Sequence, residues 1–243
     1  MIEIPQIVAV QYLNTAPMLF GLQEHPQFED MKLITGTPAF CAEMLLQQEA
    51  CIALIPVGSL SDFEQAHIIS DYCIGCDGAV ETVGIWSNKD LDEIRSIKLD
   101  AASRTSNLLA QIIVRQFWKK DIIFTDADAD AEVVIGDRTF ELEDKYKFMW
   151  DLGSEWKHFT NLPFVFAVWA SLQPVSLEFS EVFNEALSNG IQNLHQWSYK
   201  TNLDHSTLMK YLGHSISFPL DDLKKRALLQ FLKMNQIQTQ LYF

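Results

Sequence analysis

The chain has 243 residues, 48% of them hydrophobic and 21% charged, which is enough to bury a sizeable core as one large domain or two lobes. Its formal charge is −14, from 32 acidic against 18 basic residues, so there is no basic face for a nucleic acid. The longest uncharged apolar stretch, 162–172, is too short to cross a bilayer, and MIEIPQIVAV has neither a basic leader nor a cleavage site after it; a cytoplasmic location, away from membranes, is expected. In chain order, the apolar run at 6–12 reads as a strand, with Ile7, Ala9 and Tyr12 as core residues. Asn14 falls where that strand leaves its sheet, the place where α/β proteins bind ligands. A helix at 16–23, a strand at 31–35, a helix at 38–48 and the buried-type strand CIALIPV at 51–57 complete a βαβαβ rhythm. Strand-like IISDYCIG and VETVGIWS follow. Residues 97–170 then repeat the α/β rhythm with IKLD, a long helix, DIIFTD, EVVIG, a helical turn, YKFMW and FVFAVWA. After Pro174, stretches 177–199, 205–213 and 221–237 have helical periodicity.

This order supports an α/β fold with two lobes. Residues 1–86, completed by a helical return over 173–243, form the first lobe and 87–172 the second, with crossings near 86–90 and 170–174. The arrangement resembles the type II periplasmic-binding-protein fold, whose ligand sits in the cleft between lobes. The two halves are read from periodicity and the cleft from analogy.

Within LDAASRTSNLLAQIIVRQFW, residues 99–118, Leu109, Ile112, Ile113 and Phe117 mark one apolar helix face and Ser103 suits the N-cap. Arg104, Thr105 and Ser106 then occupy the first turn, where amides without intrahelical partners, two hydroxyls and a guanidinium make a site for a carboxylate or phosphate. The competing reading is a capped surface helix, although an Arg there opposes the helix dipole. VVIGDRTF ends a buried strand on Gly136-Asp137-Arg138; Asp137 can cap the next turn, and Arg138 faces either solvent or the cleft. TDADADAE imitates the start of a calcium loop, but Ala131 stands where Gly is needed and the segment runs into a strand, so a solvated acidic loop is expected. Of the 4 cysteines, Cys73 and Cys76 form a C-x-x-C that ends a strand rather than opening a helix, and no second pair completes a zinc site. They read as structural thiols. The 6 histidines are scattered, and the common nucleotide, serine-nucleophile and zinc motifs are missing, so no metal, cofactor or covalent nucleophile is expected.

YLNTAP, LIPVGSL, LDAASRTS, VVIGDR and DLGSEWKHFTNLPFVFAVW resemble, in order and spacing, the chorismate dehydratase family of menaquinone biosynthesis by the futalosine route. The likeness covers most of 6–172 and is weak in the helical tail. Gln11 stands where that family usually has Ser, and Asn161 where it usually has Gly. The Ser-Pro-Cys-Pro-Asn-type start of the sister enzyme that releases dihydroxynaphthoate is absent.

The resemblance implies a lyase that removes water from chorismate to give 3-[(1-carboxyvinyl)oxy]benzoate. Aromatisation drives that reaction, so positioning and hydrogen bonding suffice without a metal or a strongly perturbed base. It implies that Asn14 bonds the departing hydroxyl or a carboxylate, while Thr15 caps the helix entered through Pro17. It also implies a hydroxyl from GAVETVGIWS; Thr82 and Ser87 both qualify, with Thr82 preferred. Ser103, Arg104, Thr105, Ser106, Asp137 and Arg138, together with Thr15, are the expected substrate-binding residues. The proton acceptor is expected to be the substrate's own enolpyruvyl carboxylate. A non-catalytic small-anion-binding protein of the same fold is the rival reading, and the oligomeric state stays open.

Overall fold

A computed structural model describes residues 6–142, 144–197 and 203–243. The chain opens with β1 (Gln6–Val10), α1 (Ala16–Glu24), β2 (Lys32–Gly36), α2 (Pro38–Leu46), β3 (Ile52–Pro56) and the long β4 (Gln65–Cys76). It continues through β5 (Val83–Ser87), β6 (Ser96–Lys98), α3 (Arg104–Ile112), β7 (Ile123–Thr125), β8 (Ala131–Ile135), β9 (Phe148–Asp151) and α4 (Leu152–Thr160). The last part is β10 (Phe164–Ser171), α5 (Leu177–Gln192), α6 (Leu194–Trp197), α7 (His205–Lys210), β11 (Ser217–Pro219), α8 (Asp222–Met234) and β12 (Gln240–Tyr242).

These strands form two sheets. The 7-stranded sheet runs β11-β4-β10-β3-β1-β2 with β12 added to β4, and the 5-stranded sheet runs β7-β6-β8-β5-β9. β1 lies parallel to both β2 and β3, with Ile7 opposite Leu33 and Ile52. β3 and β10 are buried at every position, which is why both read as unbroken apolar runs. Side chains set the helix starts: Thr37, Ser103, Asp151, Ser176, Asp204 and Asp221 each accept from a first-turn amide.

The crossings between sheets come earlier than the sequence suggested. β5 belongs wholly to the second sheet and β10 to the first, so the chain passes over at 77–82 and returns at 161–163. An apolar run shows that a strand is buried but not which sheet it joins. The long helix expected from 104 changes to a π-helical turn at Ile113–Phe117, and α4 and the short edge strands β11 and β12 were not anticipated. The helix expected over 177–199 breaks at Asn193 between α5 and α6, and its last two positions lie outside the described residues. Among the described residues no helix is long and apolar enough to cross a membrane.

Candidate active site

Between the sheets is a cavity of about 550 Å³, part of it open to solvent. Its apolar walls include Val10, Pro56, Ile74, Ile135 and Phe166, and its polar groups are Tyr12, Asn14, Thr82, Ser103, Thr105 and Ser106. Among the described residues, no side chain lining it carries a formal charge.

Asn14 reaches the cavity from a 3-10 turn, Leu13–Thr15, that follows the end of β1. Its Oδ1 accepts only a long 3.4 Å bond from the Thr15 hydroxyl, and no backbone amide, so it forms no Asx-turn among the described residues. Thr15 is fully buried beneath it and makes no side-chain cap on α1, contrary to expectation. Its hydroxyl is directed instead at Asn14, which leaves the Asn14 amide N–H groups to act as donors.

Thr82 enters from the other sheet, just before β5. The preceding backbone is held by the Asp151 carboxylate, which accepts from the amides of Val80 at 3.0 and 3.1 Å and of Glu81 at 2.7 Å. The same carboxylate caps α4 through the Ser154 amide at 2.8 Å. Burial pushes the Asp151 carboxyl up from the ordinary carboxylate value, and these amides pull it back. Ser87, the alternative hydroxyl, lies at the far end of β5; its Oγ donates to the Asp130 carbonyl at 2.8 Å and accepts from the Lys89 amide at 3.0 Å. It does not line the cavity.

α3 aims its N-terminus at the same space. Ser103 is its N-cap and accepts from the Ser106 amide at 3.3 Å. Thr105 Oγ1 accepts from the Gly58 amide at 2.9 Å and donates to the Phe166 carbonyl at 3.4 Å, joining the helix start to the first sheet. Gly58 is required there, because a Cβ would fall 2.8 Å from the Thr105 nitrogen. Ser106 lines the cavity from the first turn. As first-turn donors, the Arg104 and Thr105 amides have no intrahelical acceptor.

The charged candidates lie outside the cavity. Arg104 is half exposed and pairs with Asp62 on the 3-10 turn Val57–Asp62, which ties the start of α3 to that turn. Arg138 pairs with the buried Asp100 and donates to the Ile135 carbonyl at 3.1 Å. Both Asp137 oxygens accept from the Leu13 amide at 3.2 Å, which links the turn bearing Asn14 to the second sheet. Burial pushes the Asp137 carboxyl up, and the Leu13 N–H pulls it back.

Two tyrosines were missed. Tyr12 is half-buried against the core, as expected, but its ring also lines the cavity and lies over Gly136, where φ is 72° and an added Cβ would meet the ring at 3.0 Å. Burial, then the charge on Asp100, raises its phenol above the ordinary tyrosine value, so it is a neutral donor. Tyr211, at the head of a π-helical turn in the C-terminal tail, is 1% exposed and places its hydroxyl 2.9 Å from Thr82 Oγ1. The glycine after a strand and the tyrosine beside Asn14 were visible in the sequence, whereas nothing marked Tyr211.

The arrangement presents neutral hydrogen-bond donors and a helix N-terminus to a small anion in an otherwise apolar space. The family model described as menaquinone biosynthesis matches residues 5–236. A chorismate dehydratase of Campylobacter jejuni subsp. jejuni is 24% identical over 234 residues, covering 92% of this chain and 94% of the relative. A crystal structure of an Archaeoglobus fulgidus protein is similar at a TM-score of 0.74 and 15% identity, covering 96% of both chains. The periplasmic aliphatic sulphonate binding protein of Escherichia coli has a TM-score of 0.58 at 13% identity, covering 99% of this chain and 95% of its own. A Candida albicans gene product described as having the generic periplasmic-binding-protein fold has a TM-score of 0.60 at 14% identity, covering 97% and 91%. The fold is thus periplasmic-binding-protein-like, with its cleft between the two sheets.

Proposed function

This chain belongs to the menaquinone-biosynthesis family, and on that premise we propose that it is a lyase that removes water from chorismate in the cavity between its sheets. The observation that carries the reading is the meeting of Asn14, from the end of β1, with Thr82, from the head of β5, in a cavity that, among the described residues, is lined by no charged side chain. Chorismate is a dianion. Here its charge is met by the first-turn amides of α3, with the dipole of that helix behind them, and by hydroxyls on Ser103 and Ser106.

The chemistry needs a C–H bond and the neighbouring C–OH bond of the ring to break, with the ring becoming aromatic. The Asn14 amide and the Thr82 hydroxyl donate to the leaving oxygen as negative charge develops on it, in a site whose low dielectric strengthens both bonds. Among the described residues, no Asp, Glu, His or Lys side chain lines the cavity to take the ring proton. The substrate's own enolpyruvyl carboxylate takes it, and the proton leaves with the departing hydroxide as water. The apolar wall of Val10, Ile74, Ile135 and Phe166 restrains the enolpyruvyl group from rearranging.

The test is to incubate the purified protein with chorismate and identify the product by mass spectrometry and proton NMR. Loss of one water with appearance of a meta-substituted benzoate is the expected result. Tight binding of unaltered chorismate would instead indicate a binding protein.

A further inference from the structure

Thr82 has a partner that is not itself in the cavity wall. Tyr211 lies behind it, 1% exposed, with its hydroxyl 2.9 Å from Thr82 Oγ1. The phenol ring packs edge-to-face on Phe140, with centroids 5.4 Å apart and planes at 85°. The preceding residue, Lys210, reaches the carboxylate of Glu81 at 2.7 Å, so the tail is fixed to the residue next to Thr82 as well. Glu81 has a φ of 65°, a left-handed conformation that turns the chain just before Thr82. Tyr211 begins the π-helical turn Tyr211–Ser215, and such turns recur at functional sites.

A threonine hydroxyl has one proton and can donate in only one direction. If Thr82 donated to Tyr211, it would present only lone pairs to the cavity and would repel a leaving oxygen. Burial raises the Tyr211 phenol far above its ordinary value, so the phenol keeps its own proton to give; either hydroxyl of the Thr82–Tyr211 pair can be the donor.

We propose that Tyr211 is a positioning residue whose hydroxyl donates to Thr82 Oγ1 and thereby commits the Thr82 proton to the cavity, where it meets the leaving hydroxyl of the substrate. Tyr211 keeps its proton throughout and touches no reacting atom. The inference rests on the dehydratase reading and adds to it a functional role for the helical tail.

The experiment is a kinetic double-mutant cycle on chorismate, using the full chain, with Tyr211→Phe, Thr82→Val and the double variant. Tyr211→Phe keeps the ring against Phe140, and thermal melts establish that each variant is folded. The expected result for Tyr211→Phe is a kcat lower by about tenfold or more, the scale of one hydrogen bond, with KM within about twofold of wild type. The double variant should be no slower than Thr82→Val alone if Tyr211 acts through that hydroxyl rather than through the Asn14 side chain that it also meets. A folded Tyr211→Phe protein with wild-type kcat would overturn the inference and leave the dehydratase reading intact. Losses that multiply in the double variant would overturn it too, by showing that Tyr211 acts independently of Thr82. A wild-type protein unable to turn over chorismate would remove both.

Discussion

Thr82 and Ser87 bracket one strand, β5, and their hydroxyls have opposite fates. Thr82 Oγ1 stands between the cavity and Tyr211, whereas Ser87 Oγ is engaged by Asp130 and the Lys89 amide. Substitution separates these roles. Thr82→Val removes the hydroxyl at nearly constant shape and is expected to lower kcat by about two orders of magnitude, the scale for losing one donor to a developing charge. Thr82→Ser should retain most of it. Ser87→Ala is expected to leave turnover unchanged and to lower stability by about 1 kcal/mol, the usual contribution of a hydrogen bond. Steady-state kinetics and urea melts on the three variants check this, and an inactive but stable Ser87→Ala protein would be the contrary result. The two arginines are a different case. Arg104 and Arg138 are conspicuous cations beside a helix start and a strand end, but their partners Asp62 and Asp100 are 42 and 38 residues away in the chain. Sequence displays a charge without displaying what neutralises it.

The elements themselves were largely legible, because their signals are local. The fully buried β3 and β10 read as apolar runs, and the start of α3 at Ser103 followed from a capping residue ahead of an apolar helix face. α4 escaped because LGSEWKHFT buries only Leu152, Gly153 and Trp156, too few positions to register as a helical period. Its start nonetheless serves the site. Asp151 closes the N-terminus of α4 and simultaneously holds the amides of Val80 and Glu81, which fixes the backbone leading to Thr82. Gly153 permits this, since a Cβ there would lie 2.4 Å from the Gly78 carbonyl and 2.6 Å from the Cys76 sulfur. Asp151→Ala should therefore lower stability by about 1 kcal/mol for the cap, and by roughly 1–3 kcal/mol more for stranded buried amides. It should also reduce kcat although Asp151 does not line the cavity. Denaturant melts and turnover on that variant check both, and a destabilised variant with wild-type kcat would show that Thr82 does not depend on this clamp. The contact of Tyr211 with Thr82 spans 129 residues and that of Asp137 with Leu13 spans 124, and no local pattern encodes pairings at such separations.

At the scale of the whole molecule, the dehydratase reading has a chain of formal charge −14 draw a dianion into a cavity that, among the described residues, is lined by no charged side chain. The long-range field opposes approach, and attraction comes only at short range from amide donors and hydroxyls within the cleft. Salt screens the first effect more than the second, because buried interactions are less exposed to ions. The KM for chorismate should accordingly fall, by a few-fold at most, as ionic strength rises from about 0.01 to about 0.15 M, over which the screening length shrinks from about 30 to about 8 Å. A KM that climbs with salt would indicate that exposed cations such as Arg104 or Arg138 hold the substrate after all.

The most direct measurement is on Asn14, whose side chain lines the cavity and, among the described residues, forms no turn with the backbone. Asn14→Ala is to be melted and assayed with chorismate alongside wild type. If the cavity is where water leaves chorismate, the melting temperature should stay equal or rise slightly, as is common when a functional polar group is removed, while turnover falls by at least about two orders of magnitude. An Asn14→Ala protein that is less stable and still dehydrates chorismate at the wild-type rate would contradict the account.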